Sequence, residues 1–278
     1  MQAQVGFGTS DMRDDQNTVE IVKSAIRSGY RIIDCPSSYK NEPAVGKAIK
    51  ESEVCRSELQ IIASLSNETR WQKGDAYQIV LDAFNKSLEN LRLDYVDLYL
   101  INWPVVRYHE ENWAALNADT WKAMEDLQEM GKIKRIGISN FLEGHINELL
   151  KTAKIMPAVN QIEVHPFFQQ NSLTKFCQEL GMEVQSWGPL QKGKLLDNAE
   201  LCAIAKRYGK TVAQLVLRWC LQKNITPIVK TANEERMKQN LDIFDFEISE
   251  EDMCKIAALD TPDGFRDVFS YGRQQKYK

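Results

Sequence analysis

The sequence lacks paired cysteines. Its six, Cys35, Cys55, Cys177, Cys202, Cys220 and Cys254, are scattered, with no short spacing between any two. That pattern speaks against a disulfide framework and against a zinc site. Apolar neighbours around most of them predict buried free thiols in a reducing compartment. No stretch is long and apolar enough to span a bilayer, and the N-terminus carries no charged segment followed by an apolar run. Long blocks of one charge sign are missing too. The net charge of −4 arises from 35 basic and 39 acidic residues that are interspersed, so no polyanion-binding surface is expected. Only Arg273 to Lys278 is locally basic, and a solvated tail accounts for it. These absences predict a cytoplasmic, soluble protein with neither nucleic acid nor membrane as partner.

Ser/Gly-rich linkers are absent as well, so one domain over residues 1–278 is expected. Apolar residues make up 43 % of the chain, enough to fill a core. Short β-rich runs alternate with amphipathic segments from end to end. The strand candidates are Val5–Gly8, Arg31–Cys35, Leu59–Leu65, Val96–Asn102, Ile133–Asn140, Ala158–Val164, Glu183–Gly188 and Pro227–Lys230. Several are nearly continuous hydrophobic runs, as parallel strands covered on both faces require. Helical patterns fall at Thr18–Arg27, Asp75–Leu91, Thr120–Met130, Gly144–Lys151, Leu173–Leu180 and Val212–Gln222. Eight strands alternating with helices predict an α/β fold of the (β/α)8 TIM-barrel type, parallel and eight-stranded, with extra helices near the C-terminus. An open doubly wound sheet binding a dinucleotide needs a third glycine in its first turn. Gly6-Phe7-Gly8-Thr9-Ser10 lacks it. In a barrel, functional residues sit at the C-terminal ends of strands and in the loops that follow.

At those strand ends the sequence resembles the aldo-keto reductase family, of bacterial type, across nearly its whole length. The matching segments are VGFGTS, GYRIIDCPSSYKNEPAVGKAIKES, LDYVDLYLINWP, GKIKRIGISNF, VNQIEVHPF, VQSWGPL, and PIVKTANEERMKQN followed by FDFEISEEDM. Each is weak alone, and their joint occurrence in family order is strong. The resemblance implies an NADP(H)-dependent oxidoreductase that reduces small aldehydes, ketones and keto-sugars, acting as a monomer. It places Ser139, Asn140 and Gln161 on the nicotinamide carboxamide and Trp187 against the nicotinamide ring, where an aromatic fixes the face presented. Thr9 and Leu190 belong to the same cofactor set. The alternative is that Ser139 and Asn140 cap a helix and Trp187 fills the barrel. Lys230, Thr231, Arg236, Gln239 and Asn240 match the family's clamp for the adenosine end. An Arg fork and a Lys point charge around a helix start suit a 2′-phosphate, which favours NADP(H) over NAD(H).

The catalytic half of the resemblance is incomplete. The family uses a Tyr, a Lys, an Asp and a His. Asp34 and Tyr39 match in IIDCPSSYKNE, but Ser64 falls at the lysine's place in LQIIASLSN and Asn102 at the histidine's place in LINWP. A tyrosine is a poor proton donor unless its anion is stabilised, and a hydroxyl does not replace an ammonium. An ionised Asp34 near Tyr39 raises the phenol's pKa further, whereas a protonated one only hydrogen-bonds, with Ser64 as a candidate partner. The Asn102 amide still donates to a substrate oxygen but moves no proton. Lys40 reads as a solvated lysine, His165 as structural and His109 as a loop residue. No metal ligands are expected. The chain begins almost at its first barrel strand and is short after Leu259, so a thin substrate wall is expected, with Trp103, Tyr108, Trp113 and Phe269 as lining candidates. The two substitutions leave open a weakened or specialised reductase, a catalytically silent NADP(H)-binding protein, and an isomerase or lyase using Tyr39 and Asp34.

Overall fold

A computed structural model describes residues 4–70, 72 and 74–261. Phe269 and the Arg273–Lys278 tail lie outside them. Eight parallel strands close into a barrel in chain order, β1 (Gly6–Gly8), β2 (Ile32–Asp34), β3 (Gln60–Leu65), β4 (Val96–Ile101), β5 (Ile133–Ser139), β6 (Val159–Glu163), β7 (Glu183–Trp187) and β8 (Ile225–Val229), with β8 returning to pair with β1. Every residue of β4 is buried. This is why the strands read as apolar runs rather than as alternating patterns.

The helices are α1 (Gln16–Arg27), α2 (Glu42–Glu51), α3 (Asn67–Arg70), α4 (Ala76–Leu91), α5 (Trp113–Glu129), α6 (Glu143–Leu150), α7 (Asn171–Glu179), α8 (Ala199–Arg207), α9 (Val212–Gln222), α10 (Glu234–Leu241) and α11 (Glu250–Ala257). Polar caps fix several of their starts. Asp15 accepts from the Thr18 N–H at 2.9 Å to begin α1, and Thr211 and Gln214 form a reciprocal capping box that begins α9. The extra helices expected near the C-terminus are α8, which precedes α9 between β7 and β8, and α11, which follows α10.

Side chains alternate along each strand, and the two sides differ in composition. Outward-facing Phe7, Ile33, Ile61, Tyr99, Ile101, Ile136 and Ile138 join the large core beneath the helices. Inward-facing Ile32, Ile62, Leu98, Leu100, Val159 and Ile228 form a separate apolar plug inside the barrel. Glycine makes room for that plug, since a Cβ on Gly6 would stand 2.3 Å from Ile228 Cδ1 and one on Gly137 2.8 Å from Leu100 Cδ2. Below the plug, Arg135 pairs with Glu183 at 2.9 Å. Above it, the inward positions of β2, β3, β5, β6 and β7 are Asp34, Ser64, Ser139, Gln161 and Gln185, and these build the candidate site.

Three expectations shift. The last strand starts at Ile225 rather than Pro227, and α5 starts at Trp113 rather than Thr120. All six cysteines are free, yet only Cys35, Cys177 and Cys220 are buried, while Cys55, Cys202 and Cys254 are exposed on helix or loop surfaces. Apolar sequence neighbours did not distinguish the two sets, because successive helical residues point in different directions.

Candidate active site

Asp34, Ser64, Asn102, Ser139, Gln161, Gln185 and Trp187 end or follow adjacent inward rows of the barrel, and hydrogen bonds join them into a polar layer. Trp187 Nε1 donates to Asn140 Oδ1 at 2.8 Å. The Asn140 amide nitrogen donates to the Asn102 carbonyl at 2.9 Å and to Ser139 Oγ at 3.1 Å. Ser139 Oγ in turn donates to the Gln161 carbonyl at 2.6 Å. Asn140 adopts φ +63°, a left-handed conformation that Asn tolerates better than bulkier residues. That turn at the end of β5 brings its amide back over the barrel mouth. The helix-cap alternative is excluded, because α6 begins from Leu142 and the Ser139 and Asn140 side chains are spent on this network.

Gln161 Nε2 donates to Asp34 Oδ1 and to Gln185 Oε1, each at 3.2 Å. Asp34 is buried, and burial pushes its carboxyl up to about 7 against the opposing effect of the Gln161 bond. Its side chain is therefore held by Gln161, not by Ser64. Thr9, fully buried, donates Oγ1–H to the Asp34 carbonyl at 3.0 Å and so fixes the end of β2. Ser64 Oγ accepts instead from Asn102 Nδ2 at 3.3 Å. The two residues that stand where Lys and His were expected thus satisfy each other, and neither brings a positive charge. Gln185 was not singled out from the sequence. A lone polar residue at an inward position of VQSW was the signal that could have found it.

Tyr39 ends a single 3-10 turn, Ser37–Tyr39, beyond β2, and is 36 % exposed at the rim. Ser37 Oγ donates to the Ser64 carbonyl at 2.8 Å, which ties that turn to the end of β3. Lys40 points away, 3.6 Å from Glu68 with both side chains exposed. His165 is fully buried with Nε2 3.2 Å from Glu163 Oε1, in keeping with a structural role. Trp103 is half-buried, its carbonyl accepting from Arg70 Nη1 at 2.6 Å. Tyr108 is exposed under the Arg107 guanidinium, and Trp113 packs edge-on against His145.

The residues matched to an adenosine clamp lie further round the rim. Lys230 and Arg236 are exposed and form no ion pair among the described residues. Thr231 is buried, its Oγ1 accepting from the Asn233 N–H at 3.2 Å, and Asn233 caps α10 through the Arg236 N–H at 2.9 Å. Gln239 reaches Glu235 at 3.3 Å. Asn240 is buried, with its side chain bonded to the Tyr30 hydroxyl. Leu190 is half-buried where the chain turns after β7. Two cations in no ion pair among the described residues, beside a capped helix start, fit a phosphate group, and the Ser139–Asn140–Gln161 amide and hydroxyl cluster fits a carboxamide. Among the described residues, no group of three or more His, Cys, Asp or Glu is arranged to hold a metal, and no helix is long and apolar enough to cross a membrane.

A closed parallel barrel with a polar, hydrogen-bonded mouth above an apolar plug defines a TIM-barrel protein whose site lies at the C-terminal ends of its strands. The chain belongs to the aldo/keto reductase family, matching it over residues 4–261, and this family uses NADP(H). It is 46 % identical over 254 residues to a glyoxal reductase of Bacillus subtilis (strain 168), covering 91 % of this chain and 87 % of that one. Among solved structures it resembles an aldo/keto reductase from Brucella melitensis, with a TM-score of 0.85, 38 % identity and coverage of 92 % and 95 % of the two chains. A mutant of Gox0644 in complex with NADPH matches with a TM-score of 0.86, 35 % identity and coverage of 96 % and 93 %.

Proposed function

We propose that this protein is an NADP(H)-dependent reductase of small carbonyl compounds, working with a reduced catalytic set and therefore slowly or on specialised substrates. The observation that carries the reading is the assembled Trp187–Asn140–Asn102 and Gln161–Asp34 network, whose members are already aligned at the barrel mouth. NADPH, when bound, supplies the hydride. Ser139, Asn140 and Gln161 hold the nicotinamide carboxamide and Trp187 backs the ring, while Lys230, Thr231, Arg236, Gln239 and Asn240 hold the adenosine end. Asn102 keeps a second amide hydrogen to donate to a carbonyl oxygen, in the manner of an oxyanion-hole amide. Tyr39 is the proton donor at the rim, and Ser64, at the place where the family carries a lysine, supplies no ammonium to stabilise its anion. The reading extends to a single domain, monomeric and cytoplasmic.

The Asn102–Ser64 hydrogen bond favours a second reading, an NADP(H)-binding protein without turnover, because the two substituted residues form a closed, uncharged pair. Titrating NADPH through quenching of tryptophan fluorescence, then following its oxidation with aldehydes, diketones and keto-sugars, separates the two. Measurable turnover by the native protein supports the reductase. Tight binding without turnover, restored by Ser64→Lys with Asn102→His, supports the silent protein. On either reading the double substitution should raise turnover, by about 10²–10⁴ for each acid–base or electrostatic group regained but without simple multiplication. Absence of NADPH binding defeats both.

A further inference from the structure

Gln185 belongs to the polar layer at the barrel mouth, yet the proposed chemistry gives it no part. It lies opposite Gln161 in the β6–β7 register, two residues before Trp187 and therefore on the same inward side of β7. Both glutamines are buried. An amide nitrogen carries two hydrogens, and Gln161 Nε2 uses both, one on Asp34 Oδ1 and one on Gln185 Oε1, each at 3.2 Å. The Gln161 main chain is held as well, its carbonyl accepting from the Asn140 N–H at 3.0 Å and from Ser139 Oγ at 2.6 Å. Asn140 has spent both ends of its own amide, the oxygen accepting from Trp187 and the nitrogen donating to Asn102 and Ser139. Gln161 Oε1 differs. It accepts from no group among the described residues, and it is not sealed from solvent. Turning this amide over would set Oε1 against the Asp34 and Gln185 oxygens, so two acceptors on one nitrogen fix which end stays available.

We propose that Gln185 is a positioning residue that keeps the Gln161 amide oxygen available, and so makes the site select a pyridine carboxamide over the corresponding carboxylate. This rests on the proposed placement of the nicotinamide carboxamide at Ser139, Asn140 and Gln161. A carboxamide brings N–H hydrogens, which that oxygen accepts. A carboxylate brings acceptors and a negative charge, which it repels. Selection then comes from the mismatched group as much as from the matched one. Gln185 acts only through Gln161. Asp34 supplies the second acceptor, so loss of Gln185 weakens the selection without erasing it.

The test uses the full chain at pH 8, above the pH at which Asp34 loses its proton, so that its carboxylate only accepts. Calorimetry gives the affinities for NADP⁺, for its nicotinic acid analogue, and for 2′,5′-ADP, which has no pyridine. The native protein should bind NADP⁺ about tenfold or more tightly than the acid analogue, the scale of one paired hydrogen bond against a mispaired one. Gln185→Leu should lower that ratio about threefold or more, with 2′,5′-ADP affinity unchanged within about twofold. In a Gln161→Ala background it should lower the ratio no further. Should Gln185→Leu fail to fold, Gln185→Thr, too short to reach Gln161, takes its place. A ratio indifferent to Gln185, a second fall on top of Gln161→Ala, or a parallel loss of 2′,5′-ADP binding would each overturn the proposal while leaving the proposed function standing. A native protein that fails to bind NADP⁺ defeats that function as well.

Discussion

Asp34 shows at the scale of one residue what the missing lysine does. With an ammonium beside it, its carboxylate would stay ionised despite burial. Without one, burial dominates and the group titrates near 7, with a single neutral amide as partner. The linkage has a definite sign. In the unfolded chain this carboxyl loses its proton near about 3.9, so between that pH and about 7 the native state binds more protons than the unfolded one. Stability therefore falls as pH rises through this window, and the penalty is fully present above it. Asp34→Asn keeps the acceptor for Gln161 and removes the titration. The stability difference between variant and native protein should be flat below pH about 4 and grow in the variant's favour to on the order of 4 kcal/mol above pH about 7. Denaturant unfolding of both proteins from pH 4 to 8 measures it, and a difference independent of pH refutes the account. Ser64→Lys, on the neighbouring strand, should erase the same pH dependence by restoring a counter-ion. The sequence revealed that Asp34 had lost a counter-ion, but Gln161 as its partner was hidden. The two are 127 positions apart and meet only because the barrel closes.

At the scale of elements, the proposed clamp for the adenosine end falls on α10 and the end of β8. Lys230 and Arg236 stand apart from the Glu234–Lys238 pair on the same segment, at 3.4 Å, which neutralises itself. That leaves two cations to meet a 2′-phosphate. A hydrogen bond to a charged group is worth about 1.5–3 kcal/mol, so Lys230→Ala and Arg236→Ala should each weaken NADPH binding about tenfold or more while changing NADH affinity less than about twofold. Fluorescence titration with both nucleotides reads the ratio, and equal losses for the two would mean that the pair does not hold the phosphate. Elements of this kind were legible where burial is continuous. The eight strands were visible because both faces are covered, and α9 because its cap and its apolar face agree. The first two turns of α5 were missed for the complementary reason, since Asn112 gives no capping bond and Trp113–Asp119 mixes apolar and polar residues without a clean stripe. Arg70 gave no signal at all. It is an arginine in a polar stretch, and its partners Trp103 and Asn117 lie 33 and 47 positions away in the chain.

The whole molecule separates stability from function along the barrel axis. The Arg135–Glu183 pair and the apolar plug occupy the lower interior, and the hydrogen-bonded layer from Asp34 to Trp187 occupies the mouth. Leu98 belongs to the plug, in register with Ile62 and with Arg135, one inward step below the Ser64–Leu100 level. Truncating it removes apolar contacts and leaves a cavity, because the encircling strands cannot collapse without breaking their ladders. Leu98→Ala should therefore cost about 2–5 kcal/mol in unfolding free energy. If the layers are independent, its NADPH affinity under native conditions should stay within about twofold of the unaltered protein. Arg236→Ala should show the reverse, an unchanged melting transition with weakened NADPH binding, since it lies on an exposed helix face and forms no ion pair among the described residues. Calorimetric melting and nucleotide titration on the two variants form a crossed comparison. Loss of NADPH affinity in Leu98→Ala would mean that the plug also sets the height and alignment of the polar layer. The aligned network at the mouth would then depend on the packing below it, and the lower barrel would have to be counted as part of the site.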